Sequence, residues 1–255
     1  ATKSTGSGEH YSIPVGMAGT YDLLLVANAD ATLTSILKDL NPSHPLTNKS
    51  FSELSELLVS QSPGEGVGAG TAGHERFLMT CVRQGITFRE DNEVDMGTVS
   101  LERLSVRFDL DAPIPGLSIT DVKVTNRYTQ SFLHRGSSQS MTLPPSSPIA
   151  PAVPLQYGTK TYTATDGLVS AVGASKCEGL IYSYENTKDN ANNITFDIKC
   201  SYSPTGGTPK TFTKRVVLQR ALKRNHLYKI VLSLKPGGSL SGDDPSAGLS
   251  FNCEV

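Results

Sequence analysis

The chain has 255 residues, of which 37% are hydrophobic and 18% are charged, and its formal net charge is −1. This length is enough for two β domains, each with its own core, and the balanced charge argues against nucleic acid or anionic lipid as partners. No run approaches the roughly 20 apolar residues of a membrane span, and the first nine residues lack the charged-then-apolar order of a signal peptide.

The N-terminal region is predicted to start with a tail followed by two strands. Residues 1–10 are polar and rich in Gly and Ser, so we expect them to form a flexible tail. The first strand is predicted at residues 11–15 (YSIPV). Residues 21–29 (YDLLLVANA) are apolar on both strand faces, which predicts a strand covered on both sides at the centre of a sheet.

Helical periodicity follows these strands. Residues 31–40 (ATLTSILKDL) are predicted to form a short helix. Residues 50–59 give a stronger signal, because Ser50 and Glu53 have capping-box spacing and the apolar residues after them recur at helical intervals. The Gly-rich residues 62–73 lack the Gly-Lys-Ser/Thr ending of a phosphate-binding loop, so we interpret them as a surface loop.

Strand patterns return after the loop and continue to a change in composition. Strands are predicted at residues 75–82, 100–110 and 119–126, and in the second of these apolar and polar residues alternate, with one face toward a core and the other toward solvent. Residues 136–154 are rich in Pro and Ser, which predicts a linker or a long loop at a domain edge. The sequence thus predicts an N-terminal β-sandwich domain with short helices at residues 11–135.

The second half reads as a C-terminal β-sandwich domain at residues 136–255. It has about five short strands separated by turns, with little helical periodicity. The strands are predicted at residues 180–186, 193–202, 210–218, 224–234 and 248–255.

The final strand is the candidate functional segment. Its apolar residues alternate at Leu249, Phe251, Cys253 and Val255, and the Gly-, Ser-, Asp- and Pro-rich residues 235–247 before it predict a loose tether. Such a strand can pair with the sheet edge of another subunit, or it can close its own domain as an edge strand. The sequence leaves both alternatives open.

Catalytic and metal-binding patterns are weak throughout the sequence. The five histidines lie outside known catalytic motifs, and we expect His226, in a turn before a strand, to form a local hydrogen bond. The four cysteines have no C-x-x-C spacing, and we interpret Cys200 and Cys253 as small buried hydrophobes rather than as a disulfide. We therefore predict no enzyme activity, no metal site and no cofactor.

Several strings, taken together and in order, resemble the fimbrillin family of Bacteroidetes-type (type V) pili, the FimA-like or Mfa-like subunits. The resemblance covers roughly residues 15–255, and no single string carries it alone. The strings are YDLLLVANA at residues 21–29, FLMT at 77–80, LERLSVRFDL at 101–110, YSYEN at 182–186 and RNHLYKIVLSL at 224–234.

The resemblance implies two tandem transthyretin-like β-sandwich domains. It also implies export as a lipoprotein precursor, proteolytic removal of an N-terminal segment, and a place in a fimbrium at the cell surface and outer membrane. Subunits of the family assemble by strand exchange, so the partners would be other fimbrial subunits. In that reading Leu249, Phe251, Cys253 and Val255 would enter a groove of a neighbouring subunit.

The alternative is a fimbrial tip adhesin, or a carbohydrate- or protein-binding sandwich, that keeps its last strand in its own domain. The family pattern of an aromatic residue just beyond the last strand is missing here, because the chain stops at Val255. An adhesin would add host proteins or glycans as partners and would present aromatic residues on loops. The candidates are Tyr128, Phe132, Tyr157 and Tyr162, for which packing in a core is the other interpretation.

Overall fold

The computed structural model describes residues 2–6, 8–12, 17–38, 58–59, 77–90, 93–134, 157–185, 193–205 and 207–255. These residues form β-strands, one short α-helix and two short 3₁₀-helices, at Ala164–Asp166 and Pro245–Gly248, which confirms the predicted all-β fold. The elements are β1 (Thr2–Gly6), β2 (Gly8–Ser12), β3 (Gly19–Ala27), α1 (Ala31–Lys38), β4 (Leu58–Val59), β5 (Met79–Phe88), β6 (Glu102–Arg103), β7 (Ser105–Ala112), β8 (Leu117–Tyr128), β9 (Ser131–Phe132), β10 (Tyr157–Tyr162), β11 (Ser175–Tyr184), β12 (Thr195–Tyr202), β13 (Lys210–Val217), β14 (Leu227–Leu234) and β15 (Leu249–Glu254).

The first residues form a hairpin where the sequence predicts a flexible tail. β1 pairs with β2 in antiparallel register, from Thr2 opposite Ser12 to Gly6 opposite Gly8. The tail prediction relied on the shortage of apolar residues, but a hairpin ladder is made of backbone hydrogen bonds, to which Ser, Thr and Lys contribute as well as apolar residues do. Tyr11 and Ser12 of the predicted first strand lie in β2, and residues 13–15 lie outside the described residues.

The next sheet contains β3, β5 and β6 in the order β3-β5-β6. The strand predicted at residues 21–29 therefore exists, but the prediction that it forms the centre of a sheet is wrong for the described residues, because β3 lies at an edge. Its apolar run from Leu23 to Val26 is half-buried rather than covered on both faces. The predicted helix is confirmed as α1, and the Asp30 carboxylate accepts the Leu33 N–H at 2.7 Å, as an N-cap residue does.

Two four-stranded sheets, built from β7, β8 and β10 to β15, form a sandwich. One sheet has the order β10-β8-β12-β13 and the other β11-β7-β14-β15. Their facing side chains form the larger core, and the Phe108 and Phe196 rings meet across it edge to face at 5.3 Å. β14 runs antiparallel to β15 but parallel to β7.

Two strands belong to this sandwich although the sequence predicts them within the N-terminal domain, up to residue 135. β7 pairs with β11 and β14, and β8 pairs with β10 and β12. The alternation in residues 100–126 correctly predicts strands, but alternation carries no information about which strand pairs with which. The strictly polar face predicted for β7 is also only partly observed, because Ser105 and Asp109 are buried.

A smaller core lies between the first sheet and one end of the sandwich. Its members come from α1, β4, the loops before β5 and β7, the ends of β8 and β11, and the residue that follows β9. They are Leu33, Val59, Leu78, Leu104, Tyr128, Leu133 and Tyr184, with Leu24, Val26, Ala29 and Leu37 packed against them.

Three predictions concern residues outside the described part of the chain. The predicted helix at residues 50–59 falls there except for Leu58 and Val59, which form the strand β4 rather than helix and pair with β9. The Gly-rich loop at residues 62–73 and the Pro- and Ser-rich segment at residues 136–154 also lie outside the described ranges.

Candidate subunit-interaction surface

The last strand is docked in its own sandwich. β15 lies at the edge of its sheet and pairs with β14 from Leu234 opposite Leu249 to Lys229 opposite Glu254. Of the four residues predicted to mediate subunit contact, Leu249 is fully buried in the larger core and Cys253 is half-buried against it. Phe251 and Val255 are 39% and 63% exposed. The structure thus has β15 in the edge-strand arrangement that the sequence left open.

The segment before β15 is held at several points, which differs from the predicted loose tether. The Lys235 N–H donates to the Gly248 carbonyl at 2.9 Å and closes the base of the segment. Leu240 is buried in the larger core, and the Asp244 carboxylate accepts the Ser246 N–H at 3.0 Å at the start of the 3₁₀-helix. Composition predicted the lack of regular structure but not these tertiary contacts.

Two lysines of β13 bind this segment through its backbone carbonyls. Lys210 Nζ donates to Ser241 O at 2.7 Å and to Gly242 O at 3.0 Å. Lys214 Nζ donates to Ser246 O at 3.0 Å and to Leu249 O at 2.6 Å. Burial is the largest cause that lowers the pKa of Lys214. An ammonium group can donate three hydrogen bonds, so each lysine can satisfy several carbonyls that leave regular structure at this point.

Lys210 and Lys214 are not among the site residues predicted from the sequence, although the alternation of residues in β13 indicates them. In β13 the residues that alternate with exposed Thr211, Thr213 and Arg215 are Lys210, Phe212, Lys214 and Val216, all of them at least half-buried. A lysine in the apolar phase of an edge strand indicates an inward-pointing charge with a nearby acceptor.

The second candidate surface is the edge of β3. Among the described residues β3 pairs only with β5. A register shift after Tyr21 frees the Asp22 carboxylate to accept the Gly85 N–H at 2.9 Å, and Gly85 has a φ of +68° that favours glycine. At the other end of the strand, Asn28 Nδ2 donates to Phe77 O at 2.9 Å. The polar residues of the YDLLLVAN string thus fix both ends of a strand whose other edge has no partner strand among the described residues.

A buried ion pair lies beside the smaller core. Arg224 donates through Nε and Nη2 to Glu185 Oε1, the Nε contact being 3.1 Å, and through Nη2 to Phe132 O at 3.3 Å. Both residues of the pair are only 8% exposed. The YSYEN and RNHLY strings, far apart in the sequence, therefore meet in space. His226 Nδ1 lies 2.8 Å from Arg224 O, which confirms the local hydrogen bond expected for this histidine.

The remaining candidate residues serve the cores. Tyr128 and Tyr162 are almost completely buried, so they cannot form an exposed adhesive surface, while Phe132 is partly buried and the Tyr157 side chain lies outside the described part. All four cysteines are free, Cys200 is fully buried as expected and Cys253 is half-buried. Burial raises the pKa of Cys200 to about 12 and also raises the pKa of the Cys253 thiol.

The described residues contain neither a metal-site cluster nor a membrane-spanning helix. No group of three or more His, Cys, Asp or Glu side chains within them has the arrangement of a metal site. No helix within the same residues is long and apolar enough to cross a membrane.

Comparison with known proteins gives structural neighbours but no relatives in sequence. No family model matches the chain, and no curated protein matches it. A C-terminally truncated form of the tip fimbrial protein Mfa3 from Porphyromonas gingivalis superposes with a TM-score of 0.51 at 14% identity, covering 96% of this chain and 87% of that one. A protein assigned provisionally to cell adhesion, from Bacteroides eggerthii, gives a TM-score of 0.49 at 12% identity, covering 91% of this chain and 76% of that one. The chain therefore has the fold of the tip fimbrial protein, which confirms at the level of the fold the resemblance to the fimbrillins that its sequence carries.

Proposed function

We propose that the chain is a structural subunit of a bacterial surface fimbria and that it accepts a β-strand from a neighbouring subunit at the open edge of β3. The observation that carries the proposal is the pairing of β3 with β5 alone among the described residues. An unpaired strand edge presents a row of backbone N–H and C=O groups, which an added strand satisfies.

The apolar side chains of β3 also favour the addition of a strand at this edge. Leu24 and Val26 pack against the smaller core but remain half-buried, as does Leu25 between them. A strand laid beside β3 would extend this core and cover the half-buried apolar groups. Each apolar side chain that becomes fully buried contributes at most about 1.5 to 3 kcal/mol before the costs of ordering and association.

The domain organisation that follows differs from the one predicted from the sequence alone. We propose two domains whose boundary lies just before β7, because β7 belongs to one sheet of the C-terminal sandwich and β8 belongs to the other. The first domain would contain β3, β5, β6 and α1 and would carry the acceptor edge. Export as a lipoprotein precursor, N-terminal processing, attachment at the outer membrane and adhesion to host proteins or glycans remain parts of this proposal, and they come from the family resemblance.

A second candidate concerns the position of the subunit in the fimbria. The docked β15, with Leu249 in the core and the preceding segment held by Lys210 and Lys214, favours a subunit that does not donate residues 249–255. The likeness of fold to a tip fimbrial protein agrees with this candidate. The chain would then accept a strand at β3 without donating its own last strand, and it would be the terminal subunit at one end of the assembly.

Polymerisation of purified chain distinguishes the two candidates. Concentrated full-length chain, chain lacking residues 241–255 and a Val26→Asp variant are compared by negative-stain microscopy and by heat-resistant laddering on gels. A strand-donating subunit gives ladders only from the full-length chain and loses them in Val26→Asp. A Val255→Asp variant is not a suitable control, because it lies on the candidate donor, so Val172→Asp on an exposed loop is used instead.

Absence of ladders from every version supports the subunit that keeps β15. Ladders that persist in Val26→Asp as strongly as in Val172→Asp contradict the proposed acceptor edge.

A further inference from the structure

The outer edge of β15 is shielded by one side chain of the opposite sheet and one from the turn that follows its edge strand. Because the Lys235 N–H donates to Gly248 O, the backbone groups of Gly248 point toward β14. Backbone direction alternates along an antiparallel strand, so the groups of Leu249, Phe251 and Cys253 point away from β14 to the outer edge. These three residues are the ones to which a further strand would bind.

Three of these outward groups already have partners. The Leu249 N–H donates to Ser246 O in the 3₁₀-helix. The Leu249 carbonyl accepts from Lys214 Nζ at 2.6 Å, and the Cys253 carbonyl accepts from Arg220 Nη1 at 3.5 Å. The two cations therefore occupy carbonyls at both ends of the strand.

Each cation is positioned by the sandwich itself. Lys214 projects from the inward face of β13, the edge strand of the other sheet, and Arg220 lies in the turn after β13 with its guanidinium 5.3 Å from the centre of the Tyr228 ring. Inward-pointing charges and lysines at sheet edges are devices that keep edge strands from pairing with other chains. A strand approaching β15 would have to displace both groups from these carbonyls.

The sequence of β15 is suited to pairing with itself once these groups are removed. Antiparallel pairing of two copies about Phe251 places Leu249 of each copy opposite Cys253 of the other, so the apolar side chains share one face. Phe251 is already 39% exposed and would gain burial.

We propose that Lys214 and Arg220, which we call the cationic pair, keep the outer edge of β15 closed to strand addition, and that a second copy of this chain is the strand they exclude. The cationic pair thus prevents edge-to-edge dimerisation through the C-terminal sandwich. This role is separate from strand acceptance at β3 and holds whether or not the chain belongs to a fimbria.

The test compares two double variants of the full-length chain by sedimentation velocity over a range of concentrations. Lys214→Met/Arg220→Met removes the cationic pair and keeps side-chain length. Lys199→Met/Arg215→Met is the matched control, because it removes the same charge from exposed positions of β12 and β13. We expect the first variant to form a species of twice the 27.2 kDa mass, with a dimer dissociation constant at least roughly tenfold below that of the control.

Hydrogen exchange identifies the surface used. The amides of Ser250, Asn252 and Glu254 point to β14 and stay protected in an edge-paired dimer, whereas those of Phe251 and Cys253 gain protection. Adding Phe251→Pro removes an outward N–H without breaking the ladder to β14, and it is expected to restore the monomer.

Two results would overturn the proposal. One is a folded double variant that stays as monomeric as the control. The other is an oligomer in which the amides of residues 250, 252 and 254 lose protection, because the cations would then retain β15 rather than close its edge. If Lys214→Met destabilises the sandwich, Arg220→Met alone can be used instead, because it leaves every Lys214 contact in place. We expect this single variant to fold and to dimerise more weakly than the double variant.

Discussion

Neutralising Glu185 is expected to cost this protein a substantial part of its stability. Glu185→Gln preserves the shape of the side chain but removes the negative charge that faces the buried Arg224. The Arg224 guanidinium keeps its contact to the Phe132 carbonyl and gains at best a neutral amide oxygen in place of the carboxylate.

The magnitude follows from the burial of the pair. Both residues are 8% exposed, so the arginine that remains cannot be rehydrated without local opening of the structure. Removing one partner of a buried pair typically costs about 3 to 5 kcal/mol, and since the glutamine oxygen still accepts a hydrogen bond we expect about 3 kcal/mol. For a chain of this size the corresponding drop in melting temperature is about 6 to 12 °C.

Urea unfolding followed by circular dichroism measures the effect against a matched control. Asp197→Asn neutralises the partner of Arg215, which also donates to its carboxylate through Nε and Nη2. Here the arginine side chain is 69% exposed, so solvent screens the charge and a much smaller loss is expected. The double variant Glu185→Leu/Arg224→Met removes both charges and is expected to be more stable than Glu185→Gln.

The expectation would be refuted if Glu185→Gln destabilised the chain no more than Asp197→Asn. It would also be refuted if the double variant were less stable than Glu185→Gln, because the cost would then come from lost packing and not from an uncompensated charge.

Two further predictions concern the C-terminal sandwich. Gly248→Ala is expected to lower the free energy of unfolding and to increase hydrogen exchange at β15, because a Cβ at this position would overlap the Ser239 carbonyl. Gly242→Ala is the control, because Gly242 has open space around it, and it is expected to change neither quantity. Burial raises the pKa of Cys177 and Cys200 from 9.0 to about 12, so these thiols are expected to resist alkylation in the native state at pH 8 and to react fully in urea. As the pH rises, these thiols ionise in the unfolded chain before they ionise in the folded one. Their contribution to the free energy of unfolding is therefore complete below pH 9 and is lost between pH 9 and 12. A free energy of unfolding that did not fall in this range, relative to a variant with serine at both positions, would contradict this expectation.

Local patterns in the sequence predict every strand of the sandwich except β10. The alternation in β7 and β14 specifies which side chains face the core, and Val106, Phe108, Ile230 and Leu232 are all fully buried as predicted. A period of two determines the face of each residue once the strand forms, whatever its partner is.

Features that depend on distant partners could not be predicted in this way. Asp109 belongs to the polar phase of β7 but is buried, because its carboxylate accepts the Gly179 N–H at a register shift in β11 and also pairs with Arg107. The outer edge of β15 is contacted by Lys214, 35 residues before Leu249 in the chain. Neither contact leaves a local pattern in the segment whose behaviour it decides.

Hydrogen exchange in the presence of a strand peptide tests strand acceptance at β3. A peptide with the sequence GLSFNCEV, identical to residues 248–255, is added to the full-length chain, and a peptide with aspartate in place of the phenylalanine is the control. The account predicts that the first peptide increases the protection of amides in residues 19–27 and that the control peptide does so much less. Unchanged exchange in residues 19–27 at peptide concentrations that protect other parts of the chain would contradict it.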